Sequence, residues 1–328
     1  GKPAWWIYAE HVKAIHGILQ KCGKRMVMWA DHVEAAPAML DELPKDIVMA
    51  HWQYWDVDEE KITRSLDKGF EVICAPAMCW HGTMIQPRVA NFDCMDKMAR
   101  TAAKHRKRGI LGMVNTWWVP WRHYRDAALF AVAYTAEIEA AGKAVNRIEA
   151  ADRFARSFFG IRNKSIAQAL WEAHELVPNV HECNALLPDS LTDVIDAIAL
   201  ARSDGFEQRA ARALECLSVL QSGRQKVKRH EAEYEASVLA ARTTALCLSN
   251  GLRMREASRH FRRAEEAHAR GAKRSEVAGQ LREAAAAFGE ISGELNDVFR
   301  AASADWKRTR YSSDEKKCVR DPETTGCP

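Results

Sequence analysis

The stretch "GILGMVNTWWVPWRHY", Gly109 to Tyr124, runs from a short apolar segment straight into Trp117, Trp118, Trp121 and Tyr124. The apolar half is continuous rather than alternating, and helical patterns lie on both sides of it, at 91 to 107 and 125 to 141. A strand buried on both faces reads this way. Its aromatic end then needs a reason: either the rings fill a core, or they make a platform for a ring-shaped ligand.

Working outward, the same unit recurs. "RMVMWAD" (25 to 31), "DIVMAHWQYW" (46 to 55) and "FEVICAPAM" (70 to 78) are further strand candidates, and helical patterns cover 5 to 20, 35 to 43 and 58 to 68. Basic and Gly-containing segments, "KCGKR", "LDKGF" and "KHRKRG", precede three of the runs. Strand and helix in alternation, with apolar strands, predict parallel pairing through crossover helices. The fold class is α/β, and four such units make a half barrel or a small open sheet.

Each run is followed by aromatics at its C-terminal end. The first gives Trp29 and Asp31, the second His51, Trp52, Tyr54 and Trp55, the third Pro76 and Trp80, and the fourth Asn115, Thr116, Trp117 and Trp118. In a (β/α)8 barrel that end carries the ligand site, whereas the interior is filled mainly by Val, Ile and Leu. Indole faces beside a few polar groups suit a pyranose, whose C–H faces stack while its hydroxyls seek carboxylates and amides.

Composition narrows the alternatives. The 328 residues are 47% hydrophobic, enough for a large core in one or two domains. A net charge of +4 from 48 basic and 44 acidic residues gives no global reason to expect nucleic acid or an anionic membrane as partner. No apolar run approaches the ~18 residues of a spanning helix. The opening residues carry no charged-then-apolar leader. Nine cysteines, at 22, 74, 79, 94, 183, 216, 247, 318 and 327, include no C-x-x-C pair and read as free, mostly buried thiols, which favours a cytoplasmic setting. Twelve histidines include no H-E-x-x-H, so neither a metal nor a cofactor is expected.

The segments "GKRMVMWAD", "LPKDIVMAHWQYW", "GFEVICAPAMCWHG" with "ANFDCM", and "GILGMVNTWWVPWRHY", in that order and at barrel spacing, resemble glycoside hydrolase family 20, the β-N-acetylhexosaminidases, in their hexosaminidase D-like branch. The resemblance covers about residues 5 to 160. It implies the C-terminal half of a (β/α)8 TIM barrel, its fifth to eighth strands. It also implies that Trp29, Trp52 and Trp117 or Trp118 wall a pocket for the sugar ring and N-acetyl group, with Asp31 at its edge; Tyr54 and Trp80, read from the strand ends, are further binding candidates. The branch pattern favours Trp118 over Trp117. The family's Tyr-x-Asp and Trp-x-Glu motifs are absent from the last two strands, which leaves Asn115, Arg122 and His123 as candidates for holding O4 and O6.

The resemblance further implies that the substrate's own acetamido oxygen is the nucleophile, oriented by an Asp, while an adjacent Glu protonates the leaving oxygen. That pair belongs on the fourth barrel strand, upstream of Gly1. The pairs present, Asp41–Glu42, Asp58–Glu59 and Asp314–Glu315, fall at connecting helices or in a polar tail, so no catalytic residue is assigned to this chain.

From 161 to 310 the pattern is helical. "DSLTDVIDAIALARS" opens on a plausible Asp or Ser cap, and long Ala-, Glu- and Arg-rich segments at 206 to 248 and 253 to 305 are separated by "SNG" at 249 to 251, a turn signal. An antiparallel hairpin within a helical bundle is predicted, and 311 to 328 read as a disordered tail. Basic patches there are interleaved with Glu and read as solvated helix faces. Two functions stand: part of a hydrolase releasing terminal β-linked N-acetylhexosamine from a glycan or glycoconjugate, or a non-catalytic carbohydrate-binding or scaffold module that keeps the aromatic platform.

Overall fold

The computed structural model describes residues 1 to 119, 123 to 187 and 191 to 310; Arg122, the expected cap at Asp189 or Ser190 and the expected tail from 311 lie outside the described residues. The chain forms two compact units, each assembled from separate segments. The first comprises Gly1–Trp80, Val89–Trp118 and Ala131–Asn146, and the second His81–Arg88, Val119–Phe130 and the chain from Arg147 onward.

In the first unit α1 (Ala4–Lys21) leads into β1 (Val27–Trp29), and α2 (Asp31–Ala35) and α3 (Met39–Glu42) lead to β2 (Val48–Trp52). One helix was expected over 35 to 43; Pro37 divides that stretch, because a proline disfavours helical backbone in the residue before it. Then follow α4 (Glu59–Asp67), β3 (Glu71–Ala75), β4 (Ala77–Cys79), α5 (Val89–His105), β5 (Ile110–Met113), β6 (Thr116–Trp117) and α6 (Leu129–Ala141). Asp58 caps α4, its carboxylate accepting from the backbone N–H of Glu60 at 3.1 Å and of Lys61 at 3.3 Å.

Four strands pair in parallel in the order β1-β2-β3-β5, and β4 pairs in parallel with β6. The α/β class with a small parallel sheet therefore holds. The sheet register aligns Trp29 with Ala50, and Trp52 with Ala75. Central β2 buries Val48, Met49, Ala50 and His51, as a continuous apolar run should. Edge strand β1 does not: Met28 is buried while Val27 and Trp29 are 55% and 41% exposed.

The other edge, β5, carries a bulge. Val72 faces Ile110 but Ile73 faces Gly112, so Leu111 is the extra residue. Gly112 adopts φ +153°, and a Cβ there would meet Glu139 Oε1 at 3.0 Å. That oxygen accepts from the Met113 backbone N–H at 2.9 Å, so a side chain from α6 occupies an amide at the sheet's outer edge. Between α5 and α6, the Tyr134 ring meets Phe92 edge-on at 5.2 Å and its hydroxyl donates to buried Asp96 at 2.6 Å.

The second unit is helical: α7 (Arg147–Phe154), α8 (Lys164–Leu176), α9 (Val180–Leu186), α10 (Leu191–Leu200), α11 (Phe206–Gly223), α12 (Glu231–Ala269) and α13 (Arg274–Thr309). Asn179 and Glu182 close a capping box on α9. The hairpin is present, but its turn is not at "SNG". Helix α12 continues through Ser249, Asn250 and Gly251, and the reversal comes at 270 to 273. Packing overrides the turn signal: Asn250 is fully buried and donates to the Leu186 carbonyl at 3.3 Å. A Cβ on Gly251 would meet Leu186 and Phe206 carbons at 2.8 Å, so the glycine serves close helix packing. Arg253 pairs bidentately with Glu294 at 2.9 and 2.7 Å, and His260 hydrogen-bonds Gln280 at 2.9 Å, which fixes α12 and α13 as antiparallel.

Tyr134→Phe removes a charge-assisted donor from the buried Asp96 carboxylate. We expect a loss of about 1 to 3 kcal/mol in urea unfolding; an unchanged midpoint would remove the hydroxyl from the list of contacts that hold α6 to α5.

Candidate functional site

The aromatics gather where the parallel strands end. Trp29 closes β1, and two residues later Asp31 opens α2. Trp52 closes β2, and its indole N–H donates to Asp31 Oδ1 at 3.4 Å. Beyond it the chain turns, bringing the Tyr54 ring to 5.0 Å from Trp52 and the Trp55 ring to 6.4 Å. Trp80, just past β4, stacks on Trp55 at 4.7 Å with 8° between planes, and lies 6.3 Å from Tyr54.

Trp117 and Trp118 occupy successive positions, so their side chains leave opposite sides of the backbone. Trp118, whose N–H donates to the Cys79 carbonyl at 3.0 Å, places its ring 6.2 Å from Trp29 and is 44% exposed. Trp117 is half-buried. Burial raises the Tyr54 phenol pKa above its ordinary value, opposed by hydrogen bonding with the Thr116 and Trp118 side chains. The pair Trp29–Trp118 and the group Trp52, Tyr54, Trp55 and Trp80 both stand at the strand ends, and Asp31, two residues past Trp29, accepts from the Trp52 indole between them. Trp55 is 60% exposed, so the array presents indole faces outward while Tyr54 anchors it from within.

The remaining candidates lie elsewhere. Asn115 donates to the Thr135 hydroxyl of α6 at 2.7 Å, and its Oδ1 is buried without a hydrogen-bond partner, so its amide is turned to the helix layer. His123 belongs to the second unit, 2% exposed, with a ring nitrogen 2.9 Å from the Thr83 carbonyl; this placement makes it a strut for the 81 to 88 segment. Arg122 is outside the described residues. Of the quoted stretch, Tyr124 also belongs to the second unit, its hydroxyl 3.0 Å from that of Thr243 in α12.

Asp314–Glu315 lies outside the described residues, and the other two Asp–Glu pairs are engaged in a cap and ion pairs. Asp41 accepts from Lys68 at 2.5 Å, and Glu42 lies 3.9 Å from Lys13. Asp58 caps α4, and Glu59 pairs with Lys104 at 2.6 Å and His105 at 2.7 Å.

Sequence reading missed one constellation. His51 Nδ1 lies 2.8 Å from Glu34 Oε1, and its Nε2 lies 2.9 Å from Ser65 Oγ. The order resembles a nucleophile, base and acid, but His51 is fully buried and Ser65 is 1% exposed, so no substrate reaches the hydroxyl. The set ties β2 to α2 and α4. A signal was present: His51 alternates with Trp52, and the residue between two ligand-end positions belongs on the helix-covered face.

Burial pushes the Glu34 carboxyl pKa up, but the hydrogen bond and charge of His51, with Lys61 3.4 Å from its other oxygen, outweigh it and bring it below the ordinary 4.5. A depressed carboxylate stabilises the fold fully above its unfolded pKa, and that stabilisation is lost as pH falls through the folded value. Urea midpoints measured from about pH 6 to about pH 3 should therefore fall less steeply below 4.5 in Glu34→Gln than in the parent. Parallel curves would show that Glu34 does not couple to folding. Compared with family models and with curated proteins, the chain matches none.

Proposed function

We propose that the aromatic end of the parallel sheet holds a sugar ring, and that the chain is the C-terminal half of a (β/α)8 barrel of β-N-acetylhexosaminidase type followed by a helical bundle. One observation carries the reading: six aromatic residues from four strand ends, the pair Trp29 and Trp118 and the group Trp52, Tyr54, Trp55 and Trp80, gather partly exposed about Asp31. The strand order supports the barrel. Parallel neighbours taken in sequence, β1-β2-β3-β5, send right-handed crossovers to one face, as in a singly wound barrel, whereas a doubly wound sheet reverses its order.

In this reading a pyranose lays its C–H face on Trp118 or Trp29, and Asp31, held by the Trp52 indole, accepts from a ring hydroxyl. Hydrolysis would proceed through the acetamido oxygen of the substrate, with an orienting Asp and a protonating Glu supplied from outside these residues. The engagement of the Asp41–Glu42 and Asp58–Glu59 pairs in caps and ion pairs favours that division, and it equally supports the second reading, a carbohydrate-binding module without catalysis.

Titration of the tryptophan fluorescence with N-acetylglucosamine tests the site. Trp118→Ala should weaken binding roughly five-fold, about 1 kcal/mol, with folding intact. Trp117→Ala should instead cost about 1 to 3 kcal/mol of stability. The reverse pattern assigns the sugar to Trp117, and a parent chain that gives no saturable response sinks the sugar reading.

The isolated chain should not turn over a chromogenic N-acetyl-β-glucosaminide, because loss of a general acid alone costs about 10² to 10⁴-fold. Turnover abolished by Asp31→Asn would place the chemistry inside this chain and end the proposed division of labour.

A further inference from the structure

Independently of the sugar site, the outer part of the α12–α13 hairpin in the second unit has an apolar side that no described element covers. Buried residues seven apart mark the seam between the two helices: Ala257 and Ala264 on α12, and Ala284, Ile291 and Val298 on α13. Arg253 and His260 stand four residues before Ala257 and Ala264, and their partners Glu294 and Gln280 stand four residues before Val298 and Ala284. In antiparallel helices, positions turned the same way from the seam share a side, as these pairs do. The positions three residues before the seam therefore share the other side, and they include Met254 and Phe261 on α12 and Leu281 and Phe288 on α13.

Nearer the other helices this side is closed. Met254 is fully buried, a Cβ on Gly251 one turn earlier would meet Leu186 and Phe206 carbons at 2.8 Å, and Arg255 donates to the Ala201 carbonyl at 2.7 Å. Toward the hairpin tip the cover ends, and Phe261, Leu281 and Phe288 are 52%, 44% and 42% exposed. Large apolar side chains gathered on one side of two helices mark an interaction surface. Ser258, Ala278 and Ala285 beside them are small, so another helix can approach closely. The charges at the rim point to what that helix is. Arg262 and Glu265 follow Phe261 by one and four residues, and among the described residues neither has a hydrogen bond or ion pair. An antiparallel copy of α12, related by a two-fold axis between these two positions, sets Arg262 of each chain level with Glu265 of the partner subunit. The surface is thus self-complementary, as an isologous interface requires.

We propose that the occupant is a second copy of this chain, and that the outer α12–α13 hairpins of two copies pack antiparallel, α12 on α12 and α13 on α13, as a four-helix bundle. Every helix in it then runs antiparallel to both neighbours. The remaining helices of each second unit lie at opposite ends, as the cover at Gly251 and Arg255 demands, because only the outer part of each hairpin is open on this side. Phe261, Leu281 and Phe288 of both copies become the bundle core, and two Arg262–Glu265 pairs form its rim.

Sedimentation equilibrium of the full 328-residue chain tests this, with circular dichroism to check folding. The parent should sediment at twice the chain mass. Phe261→Glu should sediment at the chain mass with an unchanged helical signal, since that ring is already half-exposed within one copy. Glu265→Arg, which sets like charges level across the interface, should raise the dissociation constant about ten-fold, and the swapped variant Arg262→Glu with Glu265→Arg should restore it. Where Phe261→Glu loses its helical signal, the charge variants decide. A parent that is monomeric at every concentration overturns the proposal. So does a dimer that Glu265→Arg leaves as tight as before, or one that is dissolved by Val27→Lys at the exposed edge of the sheet.

Discussion

Alternation along β2 is the constraint on which the first unit depends. Trp52 shares its face with Ala50 and, across the register, with Trp29 and Ala75, while His51 shares the other with Met28, Met49 and Cys74. A slip of one residue would drive Trp52 under the helices and His51 outward, dissolving the aromatic array and the buried network together. The Glu34–His51–Ser65 set penalises such a slip, because moving the imidazole outward takes the partner from the buried Ser65 hydroxyl and leaves Glu34 only its ion pair with Lys61. The ligand-facing surface is thus held in place by hydrogen bonds on the opposite side of the same strand.

The same strand shows how much was legible. Apolar runs between helical patterns located all four strands of the sheet, and the aromatics after them were found at one end. The burial of those runs was less readable. The run around Met28 has the composition of a two-sided core strand, yet edge position leaves Val27 and Trp29 in solvent, and edge position is a property of the sheet rather than of the segment. Asn115 and His123 were read by their place after a strand, but which way each side chain turns depends on Thr135 and Thr83, far from them in sequence.

In the helical unit the misreading had a single source. Ser249, Asn250 and Gly251 have the composition of a turn, and in an isolated chain they would favour one. Here the glycine admits Leu186 and Phe206, and the asparagine satisfies a carbonyl at the end of α9, so each residue that weakens the helix locally improves its packing. The reversal at 270 to 273, by contrast, contains Gly271 at φ +73°, a conformation that glycine adopts without strain.

Glu139 bears on how the sheet behaves toward other chains. Parallel sheets with open margins invite foreign strands, whose carbonyls would bind the unpaired amides. On the β5 side the Met113 amide already has a carboxylate as acceptor, and an incoming strand would have to displace it. Protection of this kind is lopsided: the opposite margin shows Val27 and Trp29 to solvent. Unwanted self-association of the chain should therefore be polar in the geometric sense, beginning at β1, and a charged residue in place of Val27 is the economical route to a better-behaved protein.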